Sequence, residues 1–180
     1  MIHFYKKTDP FYEFSNFYDS PFELDGNSWD SVEQYYQASK FKDSDCLKSL
    51  EYYNIISKAD SPMKVKMLGS QSLKCAYPCD KWVINKKSDQ RKLLDVIKEY
   101  KNVKVLHSWE EIKETVMYEG LVAKFTQNKS LEKLLISTGD LILVENSPVD
   151  YYWGNGRNKD GKNRLGFLLM KLRTELSDNL

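Results

Sequence analysis

Ser31-Val32-Glu33-Gln34-Tyr35-Tyr36-Gln37-Ala38-Ser39-Lys40-Phe41 is the stretch on which the fold turns. Ser31 followed three residues later by Gln34 has the form of a capping box, in which two side chains satisfy the unpaired backbone groups of a helix start. The spacing predicts a helix over 31–41. Ahead of it, Asp25-Gly26 separates Phe22-Glu23-Leu24 from Ser28-Trp29, the signature of a tight hairpin. Residues 2–5 read as a short strand and Asp9-Pro10 as a turn. Across 11–17 aromatic and polar residues alternate until Ser15-Asn16 interrupts them. A small antiparallel N-terminal sheet leading into a helix is the expectation.

Downstream, helices are expected over 48–58 and 62–68, the latter with Pro62 at its start and Gly69 past its end. Residues 72–107 change character: Cys75, Pro78, Cys79 and Asp80 precede a lysine-rich run, with helical periodicity over 89–100 through Leu93, Leu94 and Ile97. The segment reads as an insertion on the surface of one domain, too short to hold a core of its own. Ser108 and Glu111 form a second capping box opening a long helix through Val116 and Leu121 to about Phe125. A short helix over 130–137, an apolar strand over 141–145 and a Gly- and Asn-rich loop over 150–164 follow. Leu165, Leu168, Leu169, Leu172 and Leu176 then form the buried stripe of a C-terminal helix. The fold class expected is α+β: one mainly helical domain over 1–180 with a small antiparallel N-terminal sheet.

Composition bounds the function. A chain of 180 residues, 41% hydrophobic and 29% charged, is neither disordered nor fibrous. With 27 basic against 26 acidic residues the net charge is +1, which argues against attachment to nucleic acid or membrane by bulk charge. Three cysteines in no metal-binding pattern read as reduced thiols. The first residues carry no apolar run of signal-peptide length, and no stretch of about 18 apolar residues occurs. A cytoplasmic protein with no membrane span is expected. Twelve Tyr, eight Phe and four Trp call for either an aromatic core or a pocket that stacks a planar ring.

Three places carry candidate chemistry. Glu33, Gln37 and Lys40 share one face of the first helix, either an ordinary solvated face or a cleft wall presenting a carboxylate, an amide and an ammonium. Lys124 continues a small and apolar face through Met117 and Gly120. A lysine turned inward must find a partner or lose its proton, so it reads as a nucleophile, an anion clamp or a stem with its head in solvent. Asp150-Tyr151-Tyr152-Trp153-Gly154-Asn155-Gly156 joins a carboxylate to aromatic rings, with glycines that allow close approach of a ligand or form a tight turn. His3 and His107 are isolated, so neither a histidine metal site nor a Ser-His-Asp triad can be argued.

Phe14-Ser15-Asn16-Phe17 and Val32–Phe41 resemble the N-terminal half of the NADAR (YbiA-like) family. Ala123-Lys124-Phe125, Thr138-Gly139-Asp140, Val144-Glu145, Asp150 with Trp153-Gly154, and Gly161 to Asn163 with the following Leu165-Gly166 and Arg173 resemble its second half. Residues 72–107 lie outside these motifs, and Gln34 stands where the family usually has His. The resemblance implies a compact, mainly helical α+β fold and cleavage of a bond between ribose C1′ and nitrogen. One branch of the family hydrolyses phosphoribosylamino-pyrimidine intermediates of riboflavin synthesis. Another removes ADP-ribose from modified guanine.

The implied reaction passes through an oxocarbenium-like transition state that a nearby carboxylate stabilises. On this reading Glu33 is the general acid/base, Asp150 orients the ribose or assists the charge, and Lys124 forms a Schiff base with opened C1′ or holds the phosphate. Lys40 is the better phosphate clamp. Trp153 and Phe14 stack the base, while Ser15, Asn16, Gln37, Gly154, Asn155 and Asn163 contact substrate. No cofactor and no metal are expected, and the partner is a small ribosyl-phosphate or ADP-ribosyl molecule. The alternatives are an ADP-ribosyl hydrolase acting on nucleic acid, with the lysine-rich segment as its groove, and a non-catalytic sensor of a nucleotide-like metabolite.

Overall fold

The computed structural model describes residues 1–72 and 87–178. In chain order the elements are β1 (Ile2–Phe4), a 3-10 turn (Tyr12–Phe14), β2 (Phe22–Leu24), β3 (Asn27–Trp29), α1 (Val32–Ser39), α2 (Leu47–Ser57), α3 (Pro62–Gly69), α4 (Lys87–Glu99), α5 (Trp109–Gln127), α6 (Lys129–Ser137), β4 (Leu143–Glu145) and α7 (Arg164–Asp178). The chain divides into two compact units. A terminal unit is made of Met1–Val32 and Tyr118–Leu180, and a central unit of Glu33–Met117.

In the terminal unit the expected hairpin forms, with Phe22 opposite Trp29 and Leu24 opposite Asn27. Asp25 and Gly26 both take positive φ, 55° and 72°, the backbone a two-residue turn between twisted strands requires. The buried Trp29 ring donates its Nε1–H to Leu24 O at 3.0 Å and locks the turn. β1 does not join this hairpin. It pairs in parallel with β4, Ile2 opposite Leu143 and Phe4 opposite Glu145. Ile2, Phe4, Leu143 and Val144 are all buried, and α7 covers β4, so the apolar strand gains more from this pairing than from the hairpin edge.

Residues 11–17 are not a strand. Phe11 adopts a left-handed backbone and starts the 3-10 turn, placing the Phe14 ring edge-on to Phe4 and stacked with Phe11 at 5.5 Å. The leucine stripe of α7 buries Leu165, Leu168, Leu169 and Leu172 as expected. On its last turns Arg173 donates to Thr138 Oγ1 and Leu141 O, both at 2.8 Å, fixing α7 to the end of α6.

In the central unit Pro62 opens α3, and Ser61 Oγ accepts from the Lys64 backbone N–H. Gln34, read from the sequence as the reciprocal cap of its own helix, sends its amide nitrogen to Ser57 O and Ala59 O at 3.0 and 3.1 Å. It ties α1 to the C-terminal end of α2. The core of this unit is aromatic: Phe41 meets Tyr52 edge-on at 4.9 Å, and Tyr52 stacks on Tyr100 at 5.0 Å.

In the segment expected as a surface insertion, α4 turns most of its residues to solvent and packs its apolar face inward. Leu93, Ile97, Tyr100 and Val103 are buried, and Gln71 Nε2 donates to Tyr100 O and Val103 O. The apolar face of α4 and the turn after it are part of the core of their unit. Residues 73–86, with Cys75, Cys79 and Lys81, lie outside the described residues. No helix among the described residues is long and apolar enough to cross a membrane.

Candidate active site

The face of α1 carrying Glu33 and Gln37 is not a solvated face. Gln37 Nε2 donates to Glu33 Oε1 at 2.8 Å, and both side chains are buried. Residues four apart on a helix meet in this way. Lys66, from α3, brings its Nζ to 3.5 Å from the same Oε1; its side chain is 32% exposed, the Glu33 side chain 4%. Both contacts are made at Oε1, and Glu33 Oε2 has no hydrogen bond to any described residue.

The approach of α3 depends on Gly69. A Cβ there would stand 2.0 Å from Gln37 Oε1, so only glycine lets the amide lie against this helix. Lys66 and Gly69 are three apart and share one face of α3. They meet Glu33 and Gln37 in the same order along α1.

Lys40, just past α1, lies over the Tyr36 ring at 5.5 Å and the Trp109 ring at 6.0 Å, and these rings pack edge-on at 5.0 Å. Burial and the Lys66 ammonium bring the Lys40 amine down from the ordinary lysine range to about 8, against the upward pull of the Glu33 and Glu110 carboxylates. The central unit therefore gathers two carboxylates, two ammonium groups and an amide beside an aromatic pair.

The remaining residues expected at the site belong to the terminal unit. Lys124 is wholly buried on α5 and donates to Glu13 O at 2.6 Å and Ser15 O at 2.9 Å. Burial brings its amine down to about 7, with the Glu13 carboxylate opposing. Two backbone carbonyls thus hold two of the donors this side chain carries, and in the ammonium form a third N–H remains.

The structure reassigns three other residues. Phe14, expected to stack a base, is a fully buried core ring between Phe4, Phe11 and Phe125. Asn163 uses its side chain on β4, accepting from Glu145 N at 2.9 Å and donating to Leu143 O at 2.8 Å. Gly154 serves close packing within its own loop, not ligand approach. A Cβ there would stand 2.8 Å from Ser147 Cβ and 2.9 Å from Glu145 O.

Asp150 Oδ1 accepts from the backbone N–H groups of Tyr152 and Trp153 at 2.9 and 2.7 Å, which shapes the loop and leaves Oδ2 without a partner among the described residues. Trp153 is half-buried, edge-on to Tyr152. Asn155 donates to Asn146, and its buried Oδ1 has no partner among the described residues. Ser15 Oγ accepts from Phe17 N, and Asn16 is buried beside it. Sequence reasoning missed Lys66, Gly69, Tyr36 and Trp109. The one signal available was a lysine three residues before the glycine that ends the run Pro62–Gly69.

Comparison with known proteins places this geometry in context. A family model, the NADAR domain, matches residues 3–177 and so runs through the 72–107 segment that the motifs left out. The N-glycosidase YbiA of Shigella flexneri serotype 5b (strain 8401) is 37% identical over 177 residues, covering 98% of this chain and 89% of that protein. The chloroplastic riboflavin biosynthesis protein PYRR of Zea mays is 33% identical over 181 residues, covering 98% of this chain and 25% of that one. Among solved structures, the NMR structure of the E. coli protein YbiA superimposes with a TM-score of 0.73 at 34% identity, covering 99% of this chain and 85% of that one.

Proposed function

From the premise that this chain belongs to the NADAR domain family, we propose that it is an N-glycosidase that hydrolyses the ribose C1′–N bond of phosphoribosylamino-pyrimidine intermediates of riboflavin synthesis. The observation that carries the reading is the Glu33 carboxylate: 4% exposed, with Gln37 and Lys66 at Oε1 and no hydrogen bond from a described residue at Oε2. Cleavage at C1′ builds positive charge on the sugar, and a carboxylate already fixed in a buried setting stabilises that charge with little reorganisation.

In this reading Glu33 in its acid form gives its proton to the leaving nitrogen as the C1′–N bond breaks. As a carboxylate it then takes a proton from the water whose oxygen bonds to C1′. The products are ribose 5-phosphate and the free amino-pyrimidine. Gln37 is a positioning residue that holds Oε1, and the Tyr36–Trp109 pair forms an apolar wall beside the cluster.

The test is release of ribose 5-phosphate from a phosphoribosylamino-pyrimidine, followed by mass spectrometry. Wild type is expected to turn over, and Glu33→Gln to be slower by about 10²–10⁴-fold, the range for loss of a general acid or base. A folded Glu33→Gln within tenfold of wild type overturns the assignment. Release of ADP-ribose from ADP-ribosylated guanosine in DNA, with no turnover of the pyrimidine, moves the leaving group to the other branch of the family.

A further inference from the structure

We propose that the Lys40 ammonium is the seat of an anion, and that its occupant is the phosphate monoester of the substrate. The proposal rests on the N-glycosidase reading and names the one side chain by which the protein selects a phosphorylated sugar.

The backbone fixes where this lysine stands. Lys40 O accepts from Leu106 N at 2.9 Å, and Leu106 O accepts from Trp109 N at 3.0 Å. The chain thus turns back within three residues and lays the Trp109 ring beside the Lys40 side chain. Tyr36, one helical turn earlier, supplies a second ring. Both rings are buried, and Lys40 Nζ stands 5.5 Å from the centroid of Tyr36 and 6.0 Å from that of Trp109.

What the ammonium lacks is an acceptor. Its head group lies over the two rings, and none of its three N–H groups meets an oxygen of a described residue. The carboxylates whose charge it feels are engaged elsewhere: Glu110 pairs with Lys113, and Glu33 Oε1 takes the Gln37 amide. Lys124, buried in the other unit, has backbone carbonyls on two of its donors; Lys40 has none. An aromatic face attracts a cation without satisfying its N–H groups. A half-buried ammonium in that state has given up water and gained no hydrogen bond, a cost that an apolar residue on the same rings would avoid.

A phosphate dianion supplies what is missing, opposite charge and oxygens enough for every free N–H, and an ammonium receives it as a compact point charge. Lys40 follows Glu33 by seven residues, two helical turns, which puts carboxylate and ammonium on one side of α1. A ribosyl phosphate matches such a pair, with positive charge developing at C1′ and a dianion at its other end.

The test uses the full chain with Lys40→Met, which keeps the stem on the rings and removes the charge, and Lys40→Arg, which keeps a cation. Calorimetric titration needs no turnover. Ribose 5-phosphate is expected to bind Lys40→Met about 10- to 100-fold more weakly than wild type, the range for one hydrogen bond to a charged group, and Lys40→Arg is expected to recover most of the loss. On wild type, inorganic phosphate is expected to compete with ribose 5-phosphate and ribose is not. Equal binding to wild type and to a folded Lys40→Met, or competition by ribose as strong as by inorganic phosphate, overturns the proposal.

A second measurement needs no variant. Acetylation of wild-type lysines, mapped by peptide mass spectrometry, is expected to slow at Lys40 when ribose 5-phosphate is present and to stay the same at the exposed Lys98. Lack of protection at Lys40 overturns the proposal. If ribose 5-phosphate binds through Lys40 and wild type cleaves no phosphoribosylamino-pyrimidine, the anion seat stands and the N-glycosidase reading is what fails.

Discussion

Lys40 and Lys124 are both buried lysines with lowered proton affinity, and the two regions around them reach that result by different physics. Around Lys124 the cause is burial. Two backbone carbonyls hold the amine, two aromatic rings flank it, and the one charge felt is the opposing Glu13 carboxylate. Around Lys40 burial is joined by a second lysine, and two carboxylates pull the other way. The first setting ties the amine to backbone. The second sets an amine among charges of both signs. The same direction of shift thus points to different chemistry once its cause is named.

The largest effect that could break this contrast is at Lys124. Lys124→Met strands the carbonyl of Glu13, while Ser15 O keeps the Tyr18 N–H at 3.2 Å, and the stranded acceptor is expected to lower stability by about 1–3 kcal/mol, read by chemical denaturation. Because water bonds directly to C1′ in the proposed reaction, borohydride added during turnover is expected to leave the mass of the wild-type chain unchanged. A gain of the sugar's mass by wild type and not by Lys124→Met would replace direct water attack with a Schiff base on Lys124.

Next in size is Gly69→Ala, which acts only on the surroundings of Lys40. Its Cβ pushes Gln37 away from Glu33, so stability is expected to fall by about 1–3 kcal/mol. The rate constant kcat is expected to fall about tenfold or more, since small misplacements of reacting groups are costly. Adding Gln37→Ala should recover the stability and not the rate. Wild-type behaviour of Gly69→Ala would show that α3 does not position the carboxylate.

The smallest effect is in the pH dependence of stability. Both lysines bind a proton less readily folded than unfolded, so the unfolded chain holds more protons between the folded value and about 10.4. Stability therefore rises with pH from about 7 for Lys124 and from about 8 for Lys40. The Tm gap between wild type and Lys124→Met is expected to widen upward from about pH 7, and that for Lys40→Met to begin about one unit later. A gap that stays constant with pH from 6 to 10 contradicts the lowered values.

The parts of the fold legible in the sequence are those specified by neighbours along the chain. Asp25-Gly26 needs only its own backbone to make a turn, Ser61-Pro62 only the next turn of helix, and the leucines of α7 only a period of 3.6. The parallel partner of β1 is not legible in this way, because it lies near the far end of the chain and pairing is decided by which apolar strand another element covers.

The same division holds for the candidate site. Glu33 and Gln37 are one helical turn apart, and their hydrogen bond follows from spacing. Lys66 comes from a different helix, and nothing on α1 announces it. Phe14 and Asn163 were misread for a chemical reason: an aromatic ring serves a core as well as a nucleobase, and a primary amide serves a backbone as well as a ribose. Residue type names what a group can bind, and only the neighbours say whether it is already bound.

The amide of Asn163 has a consequence beyond the reassignment of one residue. Together with Asn155 N, which donates to Glu145 O at 2.9 Å, it occupies the backbone groups of Leu143 and Glu145 on the side of β4 away from β1. One side chain and one loop amide stand where a third strand would lie. Exposed strand edges recruit strands from other molecules, and proteins protect themselves by covering them. A sheet of two strands is thereby closed to growth on that flank, and self-association by strand addition there would first have to dislodge the loop that ends at Asn163.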